Sequence, residues 1–139
     1  DDFNPNTGQV IPSLIAKLFS KDKKLTVWGD GSAKRDFVYS GDVARVILKI
    51  LHENKFIAEP LNFGAGKTIS IKSLVKKIMI ISKIDKKIIL KKNAPTGDKV
   101  RFLSMKKFKS KIKGFKDTNI DDALKETISW YKENKRLYD

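Results

Sequence analysis

Residues 25–44 read Leu25-Thr26-Val27-Trp28-Gly29-Asp30-Gly31-Ser32-Ala33-Lys34-Arg35-Asp36-Phe37-Val38-Tyr39-Ser40-Gly41-Asp42-Val43-Ala44. Leu25–Trp28 is a short apolar run that reads as a strand. Gly29-Asp30-Gly31-Ser32 reads as the turn after it. Phe37–Tyr39 predicts a second extended piece. Ser40 can cap a helix from about Gly41 to His52, with Asp42 in its favourable first turn. The apolar face of that helix is Val43, Val46, Ile47, Ile50 and Leu51.

The alternation continues outward in both directions. Val10, Leu14, Ile15, Leu18 and Phe19 fall at helical spacing and predict a helix over 10–20, with Pro12 in its first turn. Leu61-Asn62-Phe63 predicts a short buried strand before Gly64-Ala65-Gly66. Ser70 opens a helix running to about Ser82, and Ile88–Leu90 is a strand. Residues 91–104 read as loop, with a turn signal at Pro95-Thr96-Gly97-Asp98. Met105–Ile112 predicts a short helix ended by Gly114. Thr118 and Asp121 form a capping box for a last helix over 120–134. Strands alternating with helices give an α/β class. With 139 residues, 40% of them hydrophobic, the chain suits one domain.

Composition removes several functions. There is no cysteine, so no disulfide, thiolate nucleophile or cysteine metal site exists. One histidine, His52, does not make a metal site. No run of 18 apolar residues occurs, and no membrane partner is expected. The chain begins Asp-Asp-Phe-Asn-Pro without a leader pattern and is expected to be part of something longer. The net charge of +14 sits almost wholly in residues 72–116, which hold 16 basic and 2 acidic residues. That block is either an anion-attracting face or the drift of a lysine-rich composition.

Three motif matches fail. Gly64-Ala65-Gly66-Lys67-Thr68 resembles a phosphate loop, but Leu61 stands where the pattern needs its first glycine. Tyr131 and Lys135 have the spacing of a tyrosine–lysine proton-transfer pair, yet they lie in a polar tail, where Trp130 and Tyr131 suit packing. No G-x-G-x-x-G occurs, so the dinucleotide fingerprint is absent.

One pattern holds. Val27-Trp28-Gly29-x-Gly31, Arg35-Asp36-Phe37 and Asp42-x-Ala44 resemble the V-[WY]-G-x-G-x-x-x-R-[DE]-F-x-x-x-x-D-x-A signature of the extended short-chain dehydrogenase/reductase family, the NAD-dependent epimerases/dehydratases. Other landmarks follow in order: Phe3-Asn4-Pro5 with Gln9-Val10-Ile11-Pro12, Leu61–Gly66, Pro95–Arg101 and the Ile120–Asn134 helix. The nearest group in that family is the GDP-L-fucose synthases. The resemblance implies an α/β fold that is the carboxy-terminal, substrate-binding portion of a Rossmann-type NAD(P)-binding epimerase/dehydratase, a small mixed sheet with helices. All of 1–139 would be that portion, and residues 41–66 would pack on the absent Rossmann layer.

Function follows the same resemblance. The parent would hold NAD or NADP upstream, and this fragment would bind no cofactor and catalyse nothing alone. The ligand would be a nucleotide diphosphate-sugar, with a GDP-sugar favoured. The parent would be a cytoplasmic homodimer. Arg35 would grip the diphosphate, since a guanidinium fork matches phosphate oxygens, and Arg101 would close from the other side. For Arg35 the competing role is an ion pair with Asp36 or another acid. Val27, Trp28, Val10 and Leu14 would wall the base, or serve as ordinary core. Gln9 stands where the fucose-synthase group has a histidine acid. Glutamine exchanges no proton at neutral pH, so a reductase, dehydratase or 4-epimerase fits better than a 3,5-epimerase. Ser104 replaces a usual aspartate. Two rivals stand beside this reading: a binding-only nucleotide-sugar module, and, ranked behind it, a nucleic-acid-binding domain on the lysine block, which offers only Phe102, Phe108 and Phe115 for stacking.

Overall fold

The structure, a computed structural model, describes residues 2–53, 59–94 and 97–138. Pro95 and Thr96 of the predicted turn lie outside these, as do residues 54–58 of the 41–66 segment. Helix α1 spans Val10–Phe19, strand β1 Lys24–Trp28, β2 Lys34–Arg35, and α2 Ser40–His52. Then come β3 (Ile69–Ser70), α3 (Ile71–Ser82), β4 (Lys87–Lys91), β5 (Val100–Arg101), α4 (Lys106–Lys111) and α5 (Ile120–Asn134). The strands make two small sheets. β1 and β4 pair in parallel, while β2 lies between an antiparallel β3 and a parallel β5. The expected small mixed sheet with helices is what forms.

The amphipathic helices enclose the main core. Leu14, Ile15 and Leu18 of α1 meet Leu25 and Val27 of β1, Leu74, Val75 and Ile78 of α3, and Leu124, Ile128 and Tyr131 of α5. Phe3 stacks on Tyr131 with ring centroids 4.8 Å apart and so fastens the leading segment to α5. Tyr131 is therefore a packing residue. Lys86 donates from Nζ to the carbonyls of Lys17 and Ser20, both at 2.9 Å. It thereby satisfies acceptors that the end of α1 leaves open.

Several expectations need correction. Leu61–Phe63 is irregular and half-buried at most, because Phe63 packs on Phe108 and Phe115 instead of joining a sheet. Phe37–Tyr39 pairs with no strand, and the pairing falls at Lys34–Arg35. Tyr39, not Ser40, precedes α2. Asn119, not Thr118, caps α5, its Oδ1 accepting from the amides of Asp121 and Asp122 at 3.0 Å. On α2 only Val46 of the expected apolar face is buried; Ile47, Leu48 and Leu51 are more than half exposed. Among the described residues no helix is long and apolar enough to cross a membrane.

Thr118 is taken by a longer-range partner. The buried carboxylate of Asp42 accepts from the Thr118 amide and hydroxyl, both at 2.7 Å, and pairs with Arg45. Burial pushes the Asp42 carboxyl up, but the Arg45 and Thr118 donors outweigh it and hold the group below its usual range.

A second carboxylate holds the small sheet. Asp36 accepts from the amides of Ala65 at 2.8 Å, Gly66 at 3.2 Å and Leu103 at 3.5 Å. Its own amide donates to the Arg101 carbonyl at 3.1 Å. Gly64 lies so close that a Cβ there would sit 2.8 Å from Asp36 Oδ2. The glycine-rich turn therefore serves an internal anion, and its amides are not offered to a phosphate.

Asp42→Ala should cost about 2 kcal/mol in urea unfolding, the scale of hydrogen bonds to a charged group. The stabilisation from Asp42 is full above the unfolded-state aspartate pKa of about 4 and fades as pH falls through the lower folded-state value. The acid-side loss of stability should accordingly be shallower in Asp42→Asn. Gly64→Ala should displace the Asp36 carboxylate and destabilise by about 1–2 kcal/mol, with faster amide exchange at Ala65 and Gly66; unchanged exchange would refute the clamp.

Candidate functional site

A cavity of ≈ 280 Å³ opens between α1, β1 and the start of β2. Gln9, Val10, Leu14, Val27, Trp28 and Arg35 all line it, six of the seven residues singled out in the sequence. Arg101 does not line it.

Local structure explains the grouping. Val10 and Leu14 are one helical turn apart on α1, so they share a face. Gln9 is the residue that precedes the helix, and it stands exposed at the rim. Val27 points inward from β1 and is buried, whereas Trp28 ends the strand and is 58% exposed. Gly31 then turns the chain with φ +76°, and a Cβ there would press within 3.1 Å of Lys72 Cβ. That tight turn delivers Arg35 to the same hollow.

Arg35 is held by main chain. Its Nη1 donates to the Lys34 carbonyl at 2.8 Å and to the Asp98 carbonyl at 2.7 Å. Asp36, the acid considered as its ion-pair partner, instead receives the amides described above. Arg101 is the register partner of Arg35 across β2 and β5. It therefore stands beside Arg35 and not opposite it, with its Nη2 donating to Asp98 Oδ2 at 2.9 Å. Asp98 thus fastens both arginines, one through its carbonyl and one through its carboxylate.

Lys17 also lines the cavity and was missed in the sequence. It follows Val10 by seven positions and Leu14 by three, so the periodicity that placed those two could have placed it. Burial, and then the nearby Lys91, push its ammonium below the ordinary lysine value. The hollow so combines an exposed indole, aliphatic walls and two cations. Such a mixture of apolar wall and few polar anchors suits a small anionic ligand with a flat group.

Two other hollows differ. One of ≈ 360 Å³, between Phe37–Tyr39 and α5, is lined mostly by apolar side chains. One of ≈ 400 Å³ borders the Phe63–Phe108–Phe115 cluster. Among the described residues no cluster of His, Cys, Asp and Glu could hold a metal. The residues present do not fit a dinucleotide either: the fingerprint is lacking, and the Gly64–Gly66 turn is closed over Asp36.

Comparison with known proteins bears on the family and the fold. The model of the NAD dependent epimerase/dehydratase family matches residues 2–66. The chain is 29% identical over 136 residues to a dTDP-4-dehydro-6-deoxy-D-allose reductase of Streptomyces bikiniensis, covering 98% of this chain and 40% of that protein. It is 29% identical over 139 residues to a GDP-L-fucose synthase of Dictyostelium discoideum, covering 96% of this chain and 43% of that one. The chain thus spans less than half the length of these relatives. A crystal structure of a GDP-L-fucose synthetase from Naegleria fowleri superposes with a TM-score of 0.88 and 26% identity, over 98% of this chain and 43% of that one; the same protein has been crystallised bound to NADP. Motif order, family model and fold therefore point the same way: the chain is similar to the NAD dependent epimerase/dehydratase family over residues 2–66 and to proteins of that kind over nearly all of its length.

Proposed function

We propose that this chain binds a nucleoside diphosphate-sugar in the α1–β1 cavity, as the carboxy-terminal substrate-binding part of an NAD(P)-dependent nucleotide-sugar enzyme. The observation that carries this is the convergence of Arg35 and Trp28 on one hollow. Trp28 offers a flat apolar face for the base, with Val10, Leu14 and Val27 behind it. Arg35 and Lys17 supply positive charge for the diphosphate. Arg101 is the second base by family position, reached if the 97–101 segment turns inward.

Binding energy gathered at the nucleotide would hold the sugar in place for the reaction. Hydride transfer itself belongs to a nicotinamide cofactor held by the rest of the parent enzyme. The exposed Ile47, Leu48 and Leu51 of α2 favour packing of residues 41–66 on that missing layer.

For the parent's reaction, a reductase of a nucleotide-linked keto-sugar that does not epimerise is the reading that Gln9 supports. An amide at the cavity rim can orient a carbonyl or hydroxyl by hydrogen bonds, but it cannot pass a proton at neutral pH. The allose-reductase relative is a reductase by name, which fits.

The test is calorimetry with GDP-, UDP-, dTDP- and CDP-sugars. One nucleotide should bind in the micromolar range. Arg35→Ala should weaken it about 10- to 100-fold, the equivalent of a lost charged hydrogen bond, and Trp28→Ala should weaken the nucleoside alone. Equal binding by wild type and Arg35→Ala would overturn the site. For the parent enzyme, reaction in deuterated water should leave the ring carbons beside the keto group unlabelled; label there would show epimerisation.

A further inference from the structure

The parallel register of β1 and β4 pairs Lys24 with Lys87 at one end of the sheet and Trp28 with Lys91 at the other. The candidate site is at the Trp28 end. The opposite end carries the α1–β1 and α3–β4 loops side by side, as the Lys86 bonds to Lys17 and Ser20 show. The two loops and the strand starts they lead into hold six lysines, namely Lys21, Lys23, Lys24, Lys83, Lys86 and Lys87, and two acids, Asp22 and Asp85, and Lys132 of α5 lies over the Phe19 ring at the end of α1. Lys86 is occupied in closing α1. The other five are exposed. On α3, Ile80 lies three positions before Lys83 and is 76% exposed, an apolar side chain beside the cluster.

We propose that this end of the molecule is a docking surface for an anionic lipid layer. The chemistry of the patch selects that partner. It contains lysines and no arginine, so it supplies mobile point charges without a fork for individual phosphates. It contains no exposed aromatic ring on which a base could stack. Lysines on adjoining loops can all reach a flat charged surface, where each adds to the attraction, and a neighbouring apolar side chain can dip into the interface. β1 separates the patch from Trp28 by about 13 Å at strand rise, so lipid and nucleotide can be held at once.

Co-sedimentation with vesicles tests this, using phosphatidylcholine alone and phosphatidylcholine mixed with phosphatidylglycerol. The chain should sediment with the mixed vesicles only, and be released as salt shrinks the screening length to about 3 Å near 1 M. Replacing Lys23, Lys24, Lys83 and Lys87 by Glu should lower the bound fraction at least tenfold. The same charge change at Lys106, Lys109, Lys113 and Lys116, on and beyond α4, should lower it far less, which separates a local patch from overall net charge. Lys→Gln versions of both sets, checked for an unaltered melting transition, guard against misfolding. Equal losses from the two sets, no vesicle binding by wild type, or tighter binding to a single-stranded RNA than to the vesicles would each overturn the proposal.

Discussion

A carboxylate that receives backbone amides from separate segments acts as a rivet, because a charged acceptor strengthens each bond and leaves none of the amides wanting a partner. Asp36 has that role here. Its oxygens take amides from the Gly64–Gly66 turn and from Leu103, while its own amide joins β2 to β5. Strands of only two residues cannot hold a register by pairing alone. With the rivet in place, Arg35 is fixed beside Arg101, and Asp98 can fasten both. The neighbouring turn at Gly31 then decides that Arg35 reaches the α1–β1 cavity. The electrostatics of the candidate site thus rest on a residue that does not line it.

The cavity walls divide into two kinds. Leu14 and Val27 are almost wholly buried and belong to the main core, and only their edges border the hollow. Removing either would perturb folding and the cavity together. Trp28 and Gln9 project into solvent from the ends of a strand and a helix. They can vary in chemistry with small cost to stability, which is where a shared fold can change its ligand or reaction. Gln9, which exchanges no proton at neutral pH, stands at one of these tolerant positions.

The helices were legible because each buries one face, and the 3.6-residue period survives in the sequence. Their caps were less so. Thr118 has the right chemistry to cap α5, but it is claimed by Asp42, a contact 76 residues away that no local pattern records. Strands β2, β3 and β5 are too short to show a period at all. For the site, the ordered family landmarks placed six residues around one hollow. Arg101, the seventh, stands beside Arg35 on β5 and outside the hollow, and its loop carries no periodic signal that sets direction. Lys17 was overlooked because a lysine on an amphipathic helix reads by default as solvated, although its spacing from Leu14 already put it on the lining face.

Charge shows the same limit in another form. The sequence concentrates its excess in residues 72–116, yet the fold breaks that block apart. Lys86 closes a helix end, Lys91 acts on the candidate site, and Lys83 and Lys87 join Lys21, Lys23 and Lys24 from outside the block. Because like charges repel, such a gathering is tolerated where the chain is well solvated, at loops beyond helix ends, and where helix C-termini favour cations. The Lys24 end, beyond the C-termini of α1 and α3, meets these conditions; the Trp28 end lies at the N-terminal ends of the same helices and adds an indole and a hollow. Positive potential over the whole molecule can draw in any anion; the hollow at the Trp28 end adds a shape that a ligand must fit, whereas the Lys24 end offers exposed charge alone.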